Sequence, residues 1–168
     1  SAASDVYKRQ FQRCTCLQYI NLPESIQQID SNAFSMCLNL KNLELPSSLT
    51  KIGNRAFWNT AWLKGQTNQW VIHNDILIQY SGTESNIVIP DGVKTIAGGF
   101  LPASSSVVSV QLPQGMSSVS AGAFYANVNL QSVVLSDTIT AIEEGAFQEC
   151  ANLVSVTCPD MLEKIGDD

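Results

Sequence analysis

Residues 31–57 read SNAFSMCLNLKNLELPSSLTKIGNRAF, and the Ala33-Phe34 pair near the start of this stretch returns at its end as Ala56-Phe57, 23 residues later. An aromatic that recurs at fixed spacing marks one structural unit per return. Working outward, the six phenylalanines of the 168-residue chain are Phe11, Phe34, Phe57, Phe100, Phe124 and Phe147, at steps of 23, 23, 43, 24 and 23. Only the step from Phe57 to Phe100 breaks the period. Six residues after the anchor stands Leu17, Leu40, Leu63, Leu130 or Leu153, and Val107 takes the place one residue late.

Each copy then carries an apolar, variable, apolar triplet that usually ends in proline: Ile20-Asn21-Leu22-Pro23, Leu43-Glu44-Leu45-Pro46, Ile87-Val88-Ile89-Pro90, Val110-Gln111-Leu112-Pro113, Val133-Val134-Leu135-Ser136 and Val156-Thr157-Cys158-Pro159. Period two is the signature of a strand with one buried face. A further apolar row follows in Ile29, Ile52, Ile96, Val119, Ile142 and Ile165. A unit of this length cannot bury its own apolar rows, so copies must stack and share one core. The triplets then form a parallel sheet, each closed by a proline that cannot donate to the ladder. The recurrent breakers leave no room for a run of long helices.

The pattern AFxxCxxLxxLxLPxxLxxIG resembles the leucine-rich repeats of the BspA-like type, over nearly everything from Phe11 to Gly166. The resemblance implies a mostly-β repeat solenoid of the α/β type, right-handed, with a parallel sheet on one face and short turns, short strands or 3-10 segments on the other. It also implies extracellular or cell-surface display and binding of host or matrix proteins. Departures are local: Gln10-Phe11 and Gly99-Phe100 replace the Ala-Phe pair, and Leu135-Ser136 lacks the proline.

The repeat gives no reason to divide the chain, so residues 11–168 are expected to form a single solenoid of about six repeats. Residues 1–10 match no repeat position and read as an appended or disordered tail. The pattern starts abruptly and stops short of another Ala-Phe pair without a recognisable cap, which reads as an array truncated at both ends. Open strand edges template pairing with other chains, so self-association through uncapped ends is expected.

The repeat at residues 58–90 is enlarged and holds all three tryptophans and the single histidine. Trp70-Val71-Ile72 and Ile76-Leu77-Ile78 flank His73-Asn74-Asp75, a hairpin signal because Asn and Asp tolerate the left-handed turn conformation. Insertions in solenoids lie on one face and often modify binding, which marks Trp70 and His73 as an accessory site; the alternative is a packing variant.

The net charge of −6 hides an asymmetry: residues 1–64 carry seven Lys or Arg against four Asp or Glu, and residues 65–168 carry two against eleven. An acidic C-terminal half argues against nucleic acid, which needs a basic footprint. No apolar run is long enough to insert in a membrane, and no signal peptide is visible. Cys14, Cys37 and Cys150 follow the anchor by three residues, where other copies hold Thr60, Ala103 and Asn127; small hydrogen-bonding groups there read as an inward-facing ladder. Cys158 stands at a buried leucine position, and a Cys14–Cys37 bridge is geometrically allowed but not required.

Catalysis needs a base near a nucleophile, and His73, the single histidine, sits in a predicted hairpin turn, so no catalytic residue is assigned and the chain is not expected to be an enzyme. Asp137 and Asp160 stack in consecutive copies and could offer oxygens to Ca²⁺, but Asp after a strand is also a plain turn former, as Asp91 is; neither a metal nor a cofactor is assigned. What remains is surface. Tyr19, Asn21, Asn42, Glu44, Val88, Ser109, Gln111, Ser132, Val134, Ser155 and Thr157 project between the buried strand positions, a broad face suited to protein recognition by many modest contacts. The leading expectation is a non-enzymatic protein-interaction or adhesion module of a secreted or surface protein. The alternative is a spacer or scaffold domain inside a larger enzyme.

Overall fold

The computed structural model describes residues 10–167, so the expected tail, apart from Gln10, lies outside the described residues. The chain is a β-solenoid of short parallel strands, divided into one compact unit up to Asn68 and a second from Gln69.

In the first unit β1 (Tyr19–Ile20) pairs in parallel with β3 (Asn42–Leu43), and β2 (Gln28–Ile29) with β4 (Lys51–Ile52), each one repeat apart. The first sheet is the predicted triplet row, but each strand starts one residue earlier and is shorter than expected. The Gln18 carbonyl accepts both Lys41 and Asn42 N–H, which opens the ladder before the triplet. The proline turn that follows ends it. The isoleucine row forms the second sheet, with Ile29 and Ile52 opposite each other and buried.

A third wall carries the anchors. Phe34 N–H donates to Ala56 O at 2.8 Å and Met36 N–H to Trp58 O at 2.8 Å. In the second unit Phe124 N–H repeats this to Ala146 O at 2.8 Å and Ala126 N–H to Gln148 O at 2.9 Å. The residue two after the anchor is left-handed in five copies: Arg13, Met36, Asn59, Ala126 and Glu149 have φ between 59° and 65°. That conformation costs an L-residue about 1–2 kcal/mol, and the inter-rung ladder holds it in place. The rings stack along this wall at interplanar angles of 3°: Phe11 on Phe34, Phe34 on Phe57, and Phe124 on Phe147. Phe100 meets Phe124 edge-on at 80°, where the spacing is 24 residues instead of 23.

The enlarged repeat begins with a four-residue helix, α1 (Ala61–Lys64). Thr60 Oγ1 accepts from Leu63 N–H at 3.1 Å and donates to the Phe57 carbonyl at 2.9 Å, so one hydroxyl caps α1 and ties it to the anchor. The second unit opens with the expected hairpin, β5 (Trp70–His73) antiparallel to β6 (Ile76–Tyr80), turning at Asn74 with φ 55°; His73, expected in the turn, instead ends β5 opposite Ile76. β6 then pairs in parallel with β8 (Thr95–Ile96). The triplet sheet here has four strands, β7 (Asn86–Val88), β9 (Ser109–Gln111), β11 (Ser132–Val134) and β13 (Ser155–Thr157). The isoleucine row continues through β10 (Ser118–Val119), β12 (Ala141–Ile142) and β14 (Lys164–Ile165). Between the walls Leu77, Ile89, Phe100, Met116, Phe124, Leu130 and Ile139 form one core.

The inward ladder three residues after the anchor holds at Cys37, Thr60, Asn127 and Cys150, but Cys14, in the first described rung and covered on one side only, is exposed rather than inward. Cys37 Sγ donates to Phe11 O at 2.9 Å, Cys150 Sγ to Phe124 O at 3.0 Å, and Asn127 Nδ2 to Leu101 O and Pro102 O at 3.2 and 3.1 Å. Burial pushes both thiols above their ordinary range. Ala103 departs from it and is exposed, because the chain around the 24-residue step carries it outward and Asn127 binds the carbonyls left behind. Cys158 is exposed rather than buried, since the outermost described rung covers it on one side only. All five cysteines are free thiols.

Candidate recognition face and groove

On a strand with one face in the core, alternate residues must point away from it. In the second unit β7, β9, β11 and β13 are in register, so two outward rows form. One runs Asn86, Ser109, Ser132 and Ser155, and the other Val88, Gln111, Val134 and Thr157. The first row is short and polar, and Ser109 Oγ donates to Asn86 Oδ1 at 2.7 Å across the rungs. The second is longer and mixed, with Val88 and Val134 64% and 43% exposed. Ser109 and Ser132 are half-buried; Gln111, Ser155 and Thr157 are exposed.

In the first unit Tyr19 and Asn42 stand side by side across β1 and β3, with Asn21 and Glu44 two residues further along. All four are exposed, Tyr19 by 71%. With Lys41 and Trp62 they line a shallow groove of about 460 Å³ floored by Ile20 and Leu43. Trp62 is the member that the repeat pattern misses. It lies on α1, its N–H donates to Leu40 O at 2.6 Å, and its ring packs on Phe57 with centroids 5.0 Å apart. The signal was a residue-type change at fixed register: five residues after the anchor, the slot of Trp62, other copies hold Asn39, Asn129 and Asn152. Those amides donate to the preceding copy's Thr15, Ser105 and Val128 carbonyls at 2.7 to 2.9 Å.

The hairpin residues Trp70 and His73 are both half-buried. Trp70 packs on Tyr80 with ring centroids 4.4 Å apart. Burial first, and the Glu84 carboxylate accepting its hydroxyl second, push Tyr80 up to about 12, while that same bond lowers Glu84. Gly82 closes the loop over this pair, since a Cβ there would meet the Tyr80 hydroxyl at 2.3 Å. Trp70 and Tyr80 are therefore a packed support, not an open platform.

The acidic candidates are placed as turn formers. Asp137 and Asp160 are exposed, each second in a turn closed by Ile139 N–H to Ser136 O and by Leu162 N–H to Pro159 O, both at 3.1 Å. Glu143 accepts from Ser118 Oγ and Ala121 N–H of the preceding rung. Among the described residues no three His, Cys, Asp or Glu side chains cluster to hold a metal ion.

The sequence profile described as BspA type Leucine rich repeat region matches residues 4–69 and 72–168, in six copies. No curated protein matches. Among solved structures, the chain is similar to a T. pallidum Leucine Rich Repeat protein, at 26% identity and TM-score 0.47 over 95% of this chain and 64% of that one. A leucine-rich repeat protein from Bacteroides ovatus aligns at 22% identity and TM-score 0.42, over 92% of this chain and 34% of that one. A leucine rich cell surface protein from Faecalibacterium prausnitzii aligns at 18% identity and TM-score 0.37, over 95% and 62%. The chain thus spans between about a third and just under two thirds of the length of these proteins.

Proposed function

The chain belongs to the BspA-type leucine-rich repeat family, and from that premise we propose a non-enzymatic recognition module that engages a protein partner through the outward face of the triplet sheet in its second unit. The observation that carries this reading is the register of β7, β9, β11 and β13. It sets Val88, Gln111, Val134 and Thr157 in one exposed row, rigid because the opposite faces of the same strands are core. A flat face of exposed apolar and amide groups suits a partner surface that is itself broad, with many modest contacts. The partner is a host or matrix protein and the setting extracellular or at a cell surface, both on the family's resemblance. No helix among the described residues is long and apolar enough to cross a membrane.

The test is binding of the full chain to a panel of immobilised matrix proteins, each in native and deglycosylated form. Val88→Lys, Gln111→Lys and Val134→Lys combined should abolish capture of any bound partner and leave the melt unchanged, because these side chains support no core contact. Undiminished capture by the triple variant overturns the assignment of this face.

A further inference from the structure

We propose that the groove between Tyr19 and Trp62 is a saccharide-binding site. This goes beyond the protein-recognition reading and does not depend on it, since the groove lies wholly among residues 19–62 and the row Val88, Gln111, Val134 and Thr157 does not.

Placement comes first. Tyr19 on β1 neighbours Asn42 on β3, and the backbone N–H of Trp62 bonds Leu40 O in the turn just before β3. Adjacent rungs stand about 4.8 Å apart, so the two aromatics, two rungs apart, are offset on the order of 10 Å along the stack, and with Asn42 and Glu44 they line one groove. Optimal carbon–carbon contacts are about 3.5–4.0 Å, so such a gap admits one hexose ring touching both walls. Trp62 is half-buried and its ring is held against Phe57, which makes it a fixed wall; Tyr19 is the adjustable one.

The polar groups decide the ligand class. Asn21 and Asn42 each offer a donor and an acceptor, Lys41 is a donor only and Glu44 an acceptor only. All four are exposed, and among the described residues no protein hydrogen bond or ion pair engages their side chains. A sugar hydroxyl is donor and acceptor at once, and a pyranose adds an apolar C–H face for the aromatics, so it matches both halves of the lining. A phosphate would leave Glu44 opposed to it. A proline-rich segment would suit the aromatics but lacks N–H groups at its prolines, so Glu44 would go unmatched. An apolar ligand would strand four polar groups.

The aromatic is also particular to this rung. Where Asn39, Asn129 and Asn152 bridge to the preceding copy, this position carries a tryptophan on a capped turn of helix instead. A short helix thus stands where the preceding copy turns, residues 65–66 at the following strand slot form no strand, and the aromatic wall beside the sheet converts a flat face into a groove.

The test uses the full 168-residue chain, ¹⁵N-labelled and titrated with cellobiose, lactose and N,N′-diacetylchitobiose. At least one should move the Trp62 indole N–H and the Asn21 and Asn42 side-chain amides saturably, with saturation transfer to sugar C–H protons. Tyr19→Ala and Asn42→Ala should each weaken that binding about tenfold or more, the effect of losing one central contact, with the melt unchanged. These two carry the test because Trp62→Ala also removes a neighbour of Phe57. The proposal is overturned if no sugar gives a saturable shift at tens of millimolar, or if both variants bind as the parent does. It is equally overturned if a proline-rich peptide moves the same amides while the sugars leave them still. None of these results bears on capture through Val88, Gln111 and Val134.

Discussion

Removing the ring of Phe124 probes the anchor wall where it is most enclosed. The side chain is 0% exposed, stacked on Phe147 with centroids 5.1 Å apart and meeting Phe100 edge-on at 5.4 Å. Truncating a buried Phe to Ala costs about 3–5 kcal/mol, of which two aromatic pairs at about 0.5–1.5 kcal/mol each are a part. The remainder depends on whether the rungs can close over the hole. They cannot do so freely, because Gly99 N–H to Gly122 O and Phe124 N–H to Ala146 O fix the rung spacing on either side of the ring. Phe124→Ala should therefore fall in the upper half of that range. Phe147 is half-buried and stacks on a single ring among the described residues, so Phe147→Ala should cost roughly half as much. Urea denaturation of both variants reads the difference, with the slope checked because repeat arrays can lose two-state behaviour. A loss below about 1 kcal/mol for Phe124→Ala, or equal losses for both, would refute the stacked-anchor account.

Gly53→Ala should destabilise by about 1–3 kcal/mol although the residue is small, because its Cβ would stand 2.4 Å from Ser31 N and 2.7 Å from the Asp30 carbonyl carbon, backbone that belongs to the preceding rung. A melt within experimental error of the parent would contradict this. Tyr80 is raised from 10.0 to about 12, so the folded state disfavours its phenolate: that stabilisation is complete below about pH 10 and lost as pH climbs towards 12. Glu84 is lowered, so its contribution has the opposite sense, full above its ordinary range and lost on acidification. Tyr80→Phe should abolish the alkaline step, and a step that persists would assign it elsewhere. In native thiol titration Cys14, Cys16 and Cys158 should react fast, while Cys37 and Cys150, buried or half-buried with raised thiols, lag; five equal rates would sink the ladder.

Much of this architecture is legible because one residue type recurs with one job. The phenylalanine period located the stacked wall, the proline-terminated triplets the first sheet, and the isoleucine row the second, since each is repeated often enough to average out local exceptions. His73-Asn74-Asp75 betrayed the hairpin through its turn chemistry alone. What the pattern could not reveal sits where register and chemistry part. Cys158 obeys the leucine register but is exposed in the outermost described rung, a matter of covering neighbours that no single residue encodes. Ala103 obeys the anchor register but follows a step one residue too long. Thr60 read as a ladder residue; its hydroxyl also caps α1, and that second hydrogen bond depends on the helix it initiates. Trp62 escaped because reading it as a wall of the groove requires knowing that the following segment coils instead of pairing. The outward strand residues were identifiable from alternation, but alternation cannot say which of them share a groove.

The inter-rung hydrogen bonds of the two units carry a kinetic consequence. Side-chain and backbone bonds alike join residues 19 to 26 apart, from Lys94 to Asp75 at the hairpin rung to Cys37 to Phe11 at the long end. Loop closure at that separation is fast and its entropy nearly the same for every rung, so docking proceeds by adding one rung to the last. During synthesis at about 5–20 residues per second, a fresh rung is complete roughly every one to five seconds. Each can settle on its predecessor before the next has left the ribosome, and apolar rows such as Ile29 and Ile52 are covered in the order in which they are made.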